Sequence, residues 1–300
     1  METKQQREII KQVRTSPSLA DAFGAPLIAW PTVGVMLFSF IGFALTAYAF
    51  LSGLLPAWIT IPVSGFFVFW SFTPLHEAVH RNVSYIGWLN DLIGSLCAQL
   101  MLPGFSSALY RYLHVTHHAR TGQVDDPDYK FNGTGLPQRL LNSAFLDVLW
   151  TRFYFANWNT RPRGERARFA LGLTLYIALF VVGFSSPYAL EFTLAFVLPM
   201  LLGRIITVHL FATIQHKQGV EQRHDPLSAT LMQDVFSSPW QRYFMFGQAQ
   251  HLIHHLYPNV PWYQCDRVWR HAQTQFPAEK IGHGGYVSNA ARPFEPKSQA

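Results

Sequence analysis

From Ala25 to Leu75 the chain carries no Asp, Glu, Lys or Arg. A bilayer crossing needs about 20 mostly apolar residues. This run is too long for one crossing and fits two, with a turn at "SGLLPA" (52–57). A second run, from Phe169 to Gln215, is interrupted only by Glu191 and Arg204 and divides at "SSPYALE" (185–191). Four spans in two hairpins are therefore expected, roughly at 32–54, 57–75, 169–186 and 191–213. Composition agrees: charged residues are 13% of the 300, against about 25% in ordinary soluble domains. Buried helices of soluble proteins rarely run so far without charge. The expected fold class is an all-α integral membrane protein, with one domain over residues 1–300.

Lys and Arg placement sets the expected orientation. The N-terminal segment holds Lys4, Arg7, Lys11 and Arg14, ten more lie between Arg81 and Arg168, and eight between Lys217 and Lys297. The two short hairpin turns hold none. Both termini and the middle stretch are thus expected on the cytoplasmic side of a membrane, a bacterial inner membrane being the natural setting. Residues 1–24 would form a cytoplasmic segment, and 76–168 with 216–300 a helical cap. The net charge of +6 is mostly this rule at work, so no nucleic-acid partner is expected. The first two dozen residues are polar and show no signal-peptide pattern. Cys97 and Cys265 form no C-x-x-C, so no disulfide framework is expected. The tail "NAARPFEPKSQA" (289–300) is expected to fray.

Eight of the thirteen histidines fall in three clusters: "HEAVH" with His76 and His80, "HVTHH" with His114, His117 and His118, and "HLIHH" with His251, His254 and His255. The spacings put each set on one helix face. Thr73 and Pro74 suit the start of a fresh helix at the first cluster. "HEAVH" matches H-E-x-x-H, the zinc peptidase signature. Such a site needs two histidines, one more ligand, a water and the glutamate base. It does not need six further histidines. Eight clustered imidazoles can serve two metal ions at about four each, and imidazole suits Fe, Zn, Cu and Ni. Glu77 then reads better as a group orienting an imidazole than as a general base. An intramembrane zinc peptidase and a non-enzymatic membrane metal-binding protein are the other readings of these residues.

HxxxH, HxxHH and HxxHH placed around two apolar hairpins resemble the membrane fatty acid desaturase superfamily, over roughly residues 30–275. That superfamily takes in acyl-lipid desaturases, carotenoid hydroxylases and carotenoid ketolases. "HHARTGQVDDPDY" (117–129) and "QHLIHHLYPNVPWY" (250–263) resemble its second and third boxes with their flanks, and D-D-P-D and H-H-L-x-P…P-W-Y are especially like the carotenoid branch. No H-P-G-G haem motif is present, and the first box is HxxxH rather than the HxxxxH of stearoyl-type acyl-CoA desaturases. The resemblance implies two non-haem irons at the cytoplasmic membrane surface and dioxygen as co-substrate. It also implies a lipid substrate, either a fatty acyl chain or a carotenoid, whose C–H bond is oxidised. Electrons would come from a separate ferredoxin-like protein. Desaturation, hydroxylation, ketone formation and oxidative decarboxylation are all outcomes of such chemistry. The resemblance also implies a ninth ligand after the last span. His216, beside Lys217 where the chain leaves the membrane, is the candidate. His209, seven residues earlier on what would be the same helix face, is expected to line the substrate cavity.

The other segments have simpler readings. Residues 84–105 are apolar but contain Asn90 and Asp91, and read as an interfacial or pocket-lining helix. Residues 136–158 read as one amphipathic helix with Leu141, Phe145, Val148 and Leu149 on a face suited to a membrane surface or to ordinary core packing. Asp125, Asp126 and Asp128 could orient imidazoles of the second box or merely form a turn. Arg204 is costly in lipid and is expected to face the catalytic cavity or to snorkel.

Overall fold

Both long apolar runs break where their turn residues stand, and each yields two helices long enough to cross a bilayer. A computed structural model describes residues 1–131, 136–217, 219–233, 244–284 and 292–293. The expected fraying of 289–300 falls almost wholly outside these residues. The helices used below are α1 (Thr3–Arg14), α2 (Trp30–Leu51), α3 (Ala57–Val79), α4 (Gly87–Met101), α5 (Ser107–Arg120), α6 (Leu136–Ala144), α7 (Leu146–Ala156), α8 (Arg163–Ser185), α9 (Ala189–Thr213), α10 (His251–Leu256) and α11 (Cys265–Ala272). The chain divides into two units, one of residues 26–114 and 135–208, the other of 1–25, 115–134 and 209–300.

The first unit holds α2, α3, α8 and most of α9. Helix α3 is its centre and packs on α2, α4 and α9. Close approach comes from small residues: a Cβ on Gly203 would lie 2.5 Å from Val68 and 2.9 Å from the Gly65 carbonyl, the small-residue contact that membrane helices favour. Helices α2 and α8 turn large apolar side chains outward, among them Phe38, Ile41, Leu45, Leu171, Ile177 and Val182. An apolar surface this continuous is not tolerated in water and suits a hydrocarbon surround. Three hydroxyls within the spans satisfy themselves: Ser39 donates to the Val35 carbonyl at 2.8 Å, Thr46 to Gly42 at 2.7 Å and Ser71 to Val68 at 2.7 Å. That is the internal pairing lipid demands.

Three sequence expectations change here. No fresh helix begins at Thr73, because α3 runs unbroken to Val79 with Pro62 and Pro74 inside it. An internal proline costs one helical hydrogen bond and a clash with the carbonyl four residues back, but residues 71–79 are all buried, so packing carries the helix through. Residues 136–158 form two helices, split at Phe145, rather than one. Leu141, Phe145 and Val148 are nonetheless each at least half exposed, which favours a surface role over core packing. Arg204 neither snorkels nor stands in an open cavity. It is 1% exposed and tied to the Met101 carbonyl through Nε (2.8 Å) and Nη2 (2.6 Å), and to Asp147 (3.2 Å). A guanidinium with a carbonyl and a carboxylate at hand has no need to reach water. In α4, Asn90 is buried and serves the turn before it. Its Oδ1 accepts from the Val83 and Ser84 N–H groups, and its Nδ2 donates to the Ser84 and Ile86 carbonyls.

The second unit has its own core of Val13, Leu19, Ala22, Leu252, Ile253, Tyr257, Val260 and Val268 with neighbours. Its N-terminal segment is thus packed structure. Gln6 accepts the Leu227 N–H at 3.1 Å and the Tyr257 hydroxyl donates to the Ile10 carbonyl at 2.9 Å. The unit also departs from a purely helical expectation. β1 (Leu231–Gln233) pairs in parallel with β2 (Gly282–Gly284), which pairs antiparallel with β3 (Arg292–Pro293). The reason is burial: β1 is fully buried, and buried backbone must find partners. The stretch before β1 also bridges His216 to Thr230.

Candidate metal centre

In the first unit, His76 and His80 stand one turn apart at the C-terminal end of α3, and His114 comes from α5. Their ring centroids lie 4.7–4.9 Å apart, and their ligating nitrogens lie within 4.8 Å of one another. Tyr110 stacks on His114 at 5.1 Å and Phe72 lies against His76 at 5.5 Å, which fixes both ring planes. Arg111 ties α5 to the end of α3 by donating to the Val79 carbonyl. Glu77 is buried, its carboxylate 3.7 Å from His76 Nδ1.

The second unit gathers the other six. The Nε2 of His216 lies 3.1 Å from that of His117, 3.3 Å from that of His255 and 3.3 Å from that of His251. The Nε2 atoms of His118 and His254 are 3.0 Å apart, and His118 stacks on His255 at 4.3 Å. His117, His216, His251, His254 and His255 are all buried. His216 reaches this place for a reason the sequence did not show. Helix α9 ends at Thr213 after a π-helical stretch, Val208–Thr213, and His216 sits beyond it in extended backbone paired with Thr230. The shared helix face with His209 therefore does not exist. His209 is half-buried within the π stretch.

The tautomers follow from the partners. His117 Nδ1 lies 2.9 and 3.0 Å from the two Asp126 oxygens. His216 Nδ1 lies 3.0 Å from the Ala212 carbonyl. Both partners only accept, so each Nδ1 carries a proton. Gln222 Nε2 donates to the His255 carbonyl at 3.2 Å, which leaves Gln222 Oε1 facing His255 Nδ1 at 2.9 Å, and that nitrogen is also a donor. In the neutral rings all three Nε2 atoms then present bare lone pairs to one another. Such a set is repulsive unless a positive charge lies among them. Two imidazoles bound at about 2.0–2.1 Å to one ion, near a right angle, hold their nitrogens about 3 Å apart. The donor set fits a metal cation.

The titration behaviour points the same way. Burial alone would pull His117 down, but the charge and hydrogen bond of Asp126, with the charge of Asp128, push it up to about 9. His216 is pulled down to about 3, first by burial and then by the charge on His117. Burial, then the surrounding imidazoles, hold His255 well below its ordinary value. The cluster favours one positive charge and disfavours a second proton. A metal ion would supply that charge and release the His117 proton.

Of the three acidic candidates, Asp126 holds His117, and also accepts the Gly122 N–H at 3.2 Å and the Asp128 N–H at 2.9 Å. Asp128 lies 3.9 Å from His117. Asp125 instead pairs with Arg120 at 2.8 Å on the surface. Gln222, Thr121 and the Ala212 carbonyl were not singled out from sequence. No periodic signal marks them, because each acts through one non-local or backbone contact. Cys97 and Cys265 are buried free thiols.

A sequence model of the fatty acid desaturase family matches residues 52–286. An sn-1 oleoyl-lipid 12-desaturase of Picosynechococcus sp. is 26% identical over 254 residues, 83% of this chain and 64% of that protein. An sn-1 acyl-lipid omega-3 desaturase (ferredoxin) of Nostoc sp. is 33% identical over 78 residues, 25% of this chain and 21% of that protein. The chain thus spans less than two thirds of the length of either relative.

Proposed function

The chain belongs to the fatty acid desaturase family, and from that premise we propose that it is a membrane-bound, dioxygen-dependent oxidoreductase acting on a C–H bond of a lipid acyl chain. The observation that carries this reading is the buried set of Nε2 lone pairs of His117, His216 and His255, a donor set suited to a redox metal. The proposed cofactor is two non-haem irons held among His76, His80, His114, His117, His118, His216, His251, His254 and His255. When bound, iron supplies the redox chemistry that activates dioxygen.

The protein's own residues do the rest. Asp126, the Ala212 carbonyl and Gln222 hold the Nδ1 protons of three imidazoles and so aim their Nε2 atoms inward. The apolar spans offer the acyl chain a surround that excludes water. The electron donor is a separate ferredoxin-like protein, in keeping with the Nostoc relative's printed donor. The proposed arrangement is a single domain of two membrane hairpins with the boxes on the cytoplasmic face of a bacterial inner membrane. It rests on the distribution of Lys and Arg. The names of the two relatives favour an acyl lipid over a carotenoid. A zinc peptidase built on "HEAVH" would leave the six histidines of the second unit without a task.

The test is lipid and pigment analysis of cells expressing the chain or its His117→Ala variant, with Glu77→Gln alongside. A new unsaturated or oxygenated acyl product is expected from the wild type in the presence of dioxygen and reductant. It should be absent from His117→Ala and reduced in Glu77→Gln. Oxygen-independent peptide cleavage abolished by Glu77→Gln would refute the reading, and an oxidised carotenoid as the product would move the substrate class.

A further inference from the structure

Residues 220–227 hold one histidine, the exposed His224, which belongs to none of the three boxes, yet one side chain from this stretch reaches the metal centre. Gln222 touches His255 twice. Its Nε2 donates to the His255 carbonyl at 3.2 Å and its Oε1 accepts from His255 Nδ1 at 2.9 Å. The Thr121 hydroxyl, which donates to the His117 carbonyl at 2.8 Å, lies farther from that nitrogen, at 3.4 Å against 2.9 Å, so Gln222 is the principal acceptor.

The backbone holding Gln222 is anchored from both sides. Its N–H donates to the Thr121 carbonyl at 3.1 Å. Gly122, at φ +81°, lies so close to this segment that a Cβ there would sit 2.2 Å from the Val220 carbonyl oxygen. From the other side, α1 grips the same stretch. Thr3 donates to the His224 carbonyl at 2.5 Å, Arg7 to the Arg223 carbonyl at 3.0 Å, and Gln6 accepts the Leu227 N–H at 3.1 Å. A surface loop does not need this many ties for its own sake. They place one amide behind one imidazole.

We propose that Gln222 is a positioning residue that fixes the ring plane and tautomer of His255, presents its Nε2 lone pair to the metal, and makes His255 a weaker donor than His117. The difference in donor strength follows from the acceptors. A carboxylate behind an imidazole raises its basicity more than a neutral amide does. His117 has the carboxylate of Asp126, His216 a backbone carbonyl and His255 an amide. The set is therefore graded, with a stronger ligand in His117 on α5 than in His255 on α10. This inference rests on the metal-binding reading proposed above.

The test uses the detergent-purified full chain, stripped of metal and titrated with Co²⁺ against a chelator, with the cobalt d–d bands as a second readout. Gln222→Met keeps the length and removes both hydrogen bonds. Gln222→Glu keeps the acceptor for Nδ1 and loses the donor to the His255 carbonyl. The expected result is a loss of about tenfold to a hundredfold in cobalt affinity in Gln222→Met, with altered bands. Gln222→Glu should restore affinity to at least the wild-type level, with bands shifted in the direction of a stronger ligand field. Wild-type affinity and bands in Gln222→Met would overturn the proposal. So would a Gln222→Glu variant as weak as Gln222→Met, since the bond to the His255 carbonyl would then be what matters. If Gln222→Met fails to fold, Gln222→Glu alone decides: retained cobalt with shifted bands supports the role, and loss of cobalt removes it. His255→Ala separates the two levels. If it binds cobalt like the wild type, the metal reading fails and takes Gln222 with it. If it loses cobalt while Gln222→Met does not, only the role of Gln222 fails.

Discussion

Replacing Arg204 by Met should strongly destabilise this protein. The guanidinium is buried, donates twice to the Met101 carbonyl, reaches the Ala144 carbonyl and the Tyr176 hydroxyl at 3.3 Å each, and faces Asp147 at 3.2 Å. Asp147 is itself only 12% exposed at its side chain. Methionine fills most of the volume and offers no donor. Removing one partner of a buried ion pair costs about 3–5 kcal/mol, because the remaining charge is left uncompensated. For a chain of this size that is a fall on the order of 10 °C in melting temperature. Arg204→Lys should fall between, since one ammonium cannot meet a carbonyl and a carboxylate with the planar fork that Arg204 uses. The decisive variant is the double one. Asp147→Asn in the Arg204→Met background removes the stranded charge and should recover part of the loss, the signature of coupled neighbours. Thermal melting of the metal-free protein in detergent measures all four chains. Melting of Arg204→Met within 2–3 °C of wild type, on the order of 1 kcal/mol by the same scaling, would refute the argument, as would a double variant no more stable than the single one.

Three further outcomes follow from the second unit. His216→Ala should lose metal, because the His216 Nε2 is the atom that the Nε2 atoms of His117, His251 and His255 all face. His209→Ala should keep metal and alter substrate handling, and metal counting with product analysis separates the two. Asp126→Asn should weaken metal binding by about tenfold to a hundredfold while the loop keeps its shape, since an amide oxygen can still accept the Gly122 or Asp128 N–H. Chelator competition with unchanged melting of the metal-free protein is the check, and undiminished affinity would remove Asp126 from the metal's support.

The membrane part was legible because it depends on a crude quantity, the length of uncharged apolar chain. All four expected spans coincide with helices, displaced by six residues or fewer at any end. The misreadings came where local rules compete with packing. Pro74 looked like a helix start, yet the buried end of α3 carries the helix through it. The break at Phe145 has no proline or glycine to announce it. Arg204 was read against lipid, whereas its partners come from residues 101, 144, 147 and 176, none of which a linear reading brings near. The N-terminal helix was read by its polar average, although Val13 and Gln6 on one side of it are buried.

The proposed metal site divides along the same line, and the division has a physical cause. Helical spacing tells which imidazoles share a face, so the boxes could be read from i,i+3 and i,i+4 positions alone. It does not tell which ring nitrogen looks inward, because that is set by whatever accepts the proton on the other one. For His117 the acceptor is Asp126, nine residues away within the same flank, and the sequence could suggest it. For His216 it is a backbone oxygen four residues back, freed by a π-helical end that no residue pattern announced. For His255 it is Gln222, 33 residues away, in a stretch with no motif of its own. The proposed ligands are thus a local property of the sequence and their orientation a non-local one. A protein with the same three boxes and a different residue at 222 would keep the constellation while changing the electron-donating strength of one ligand. Variation among such enzymes that leaves every histidine in place can therefore still act on the metal.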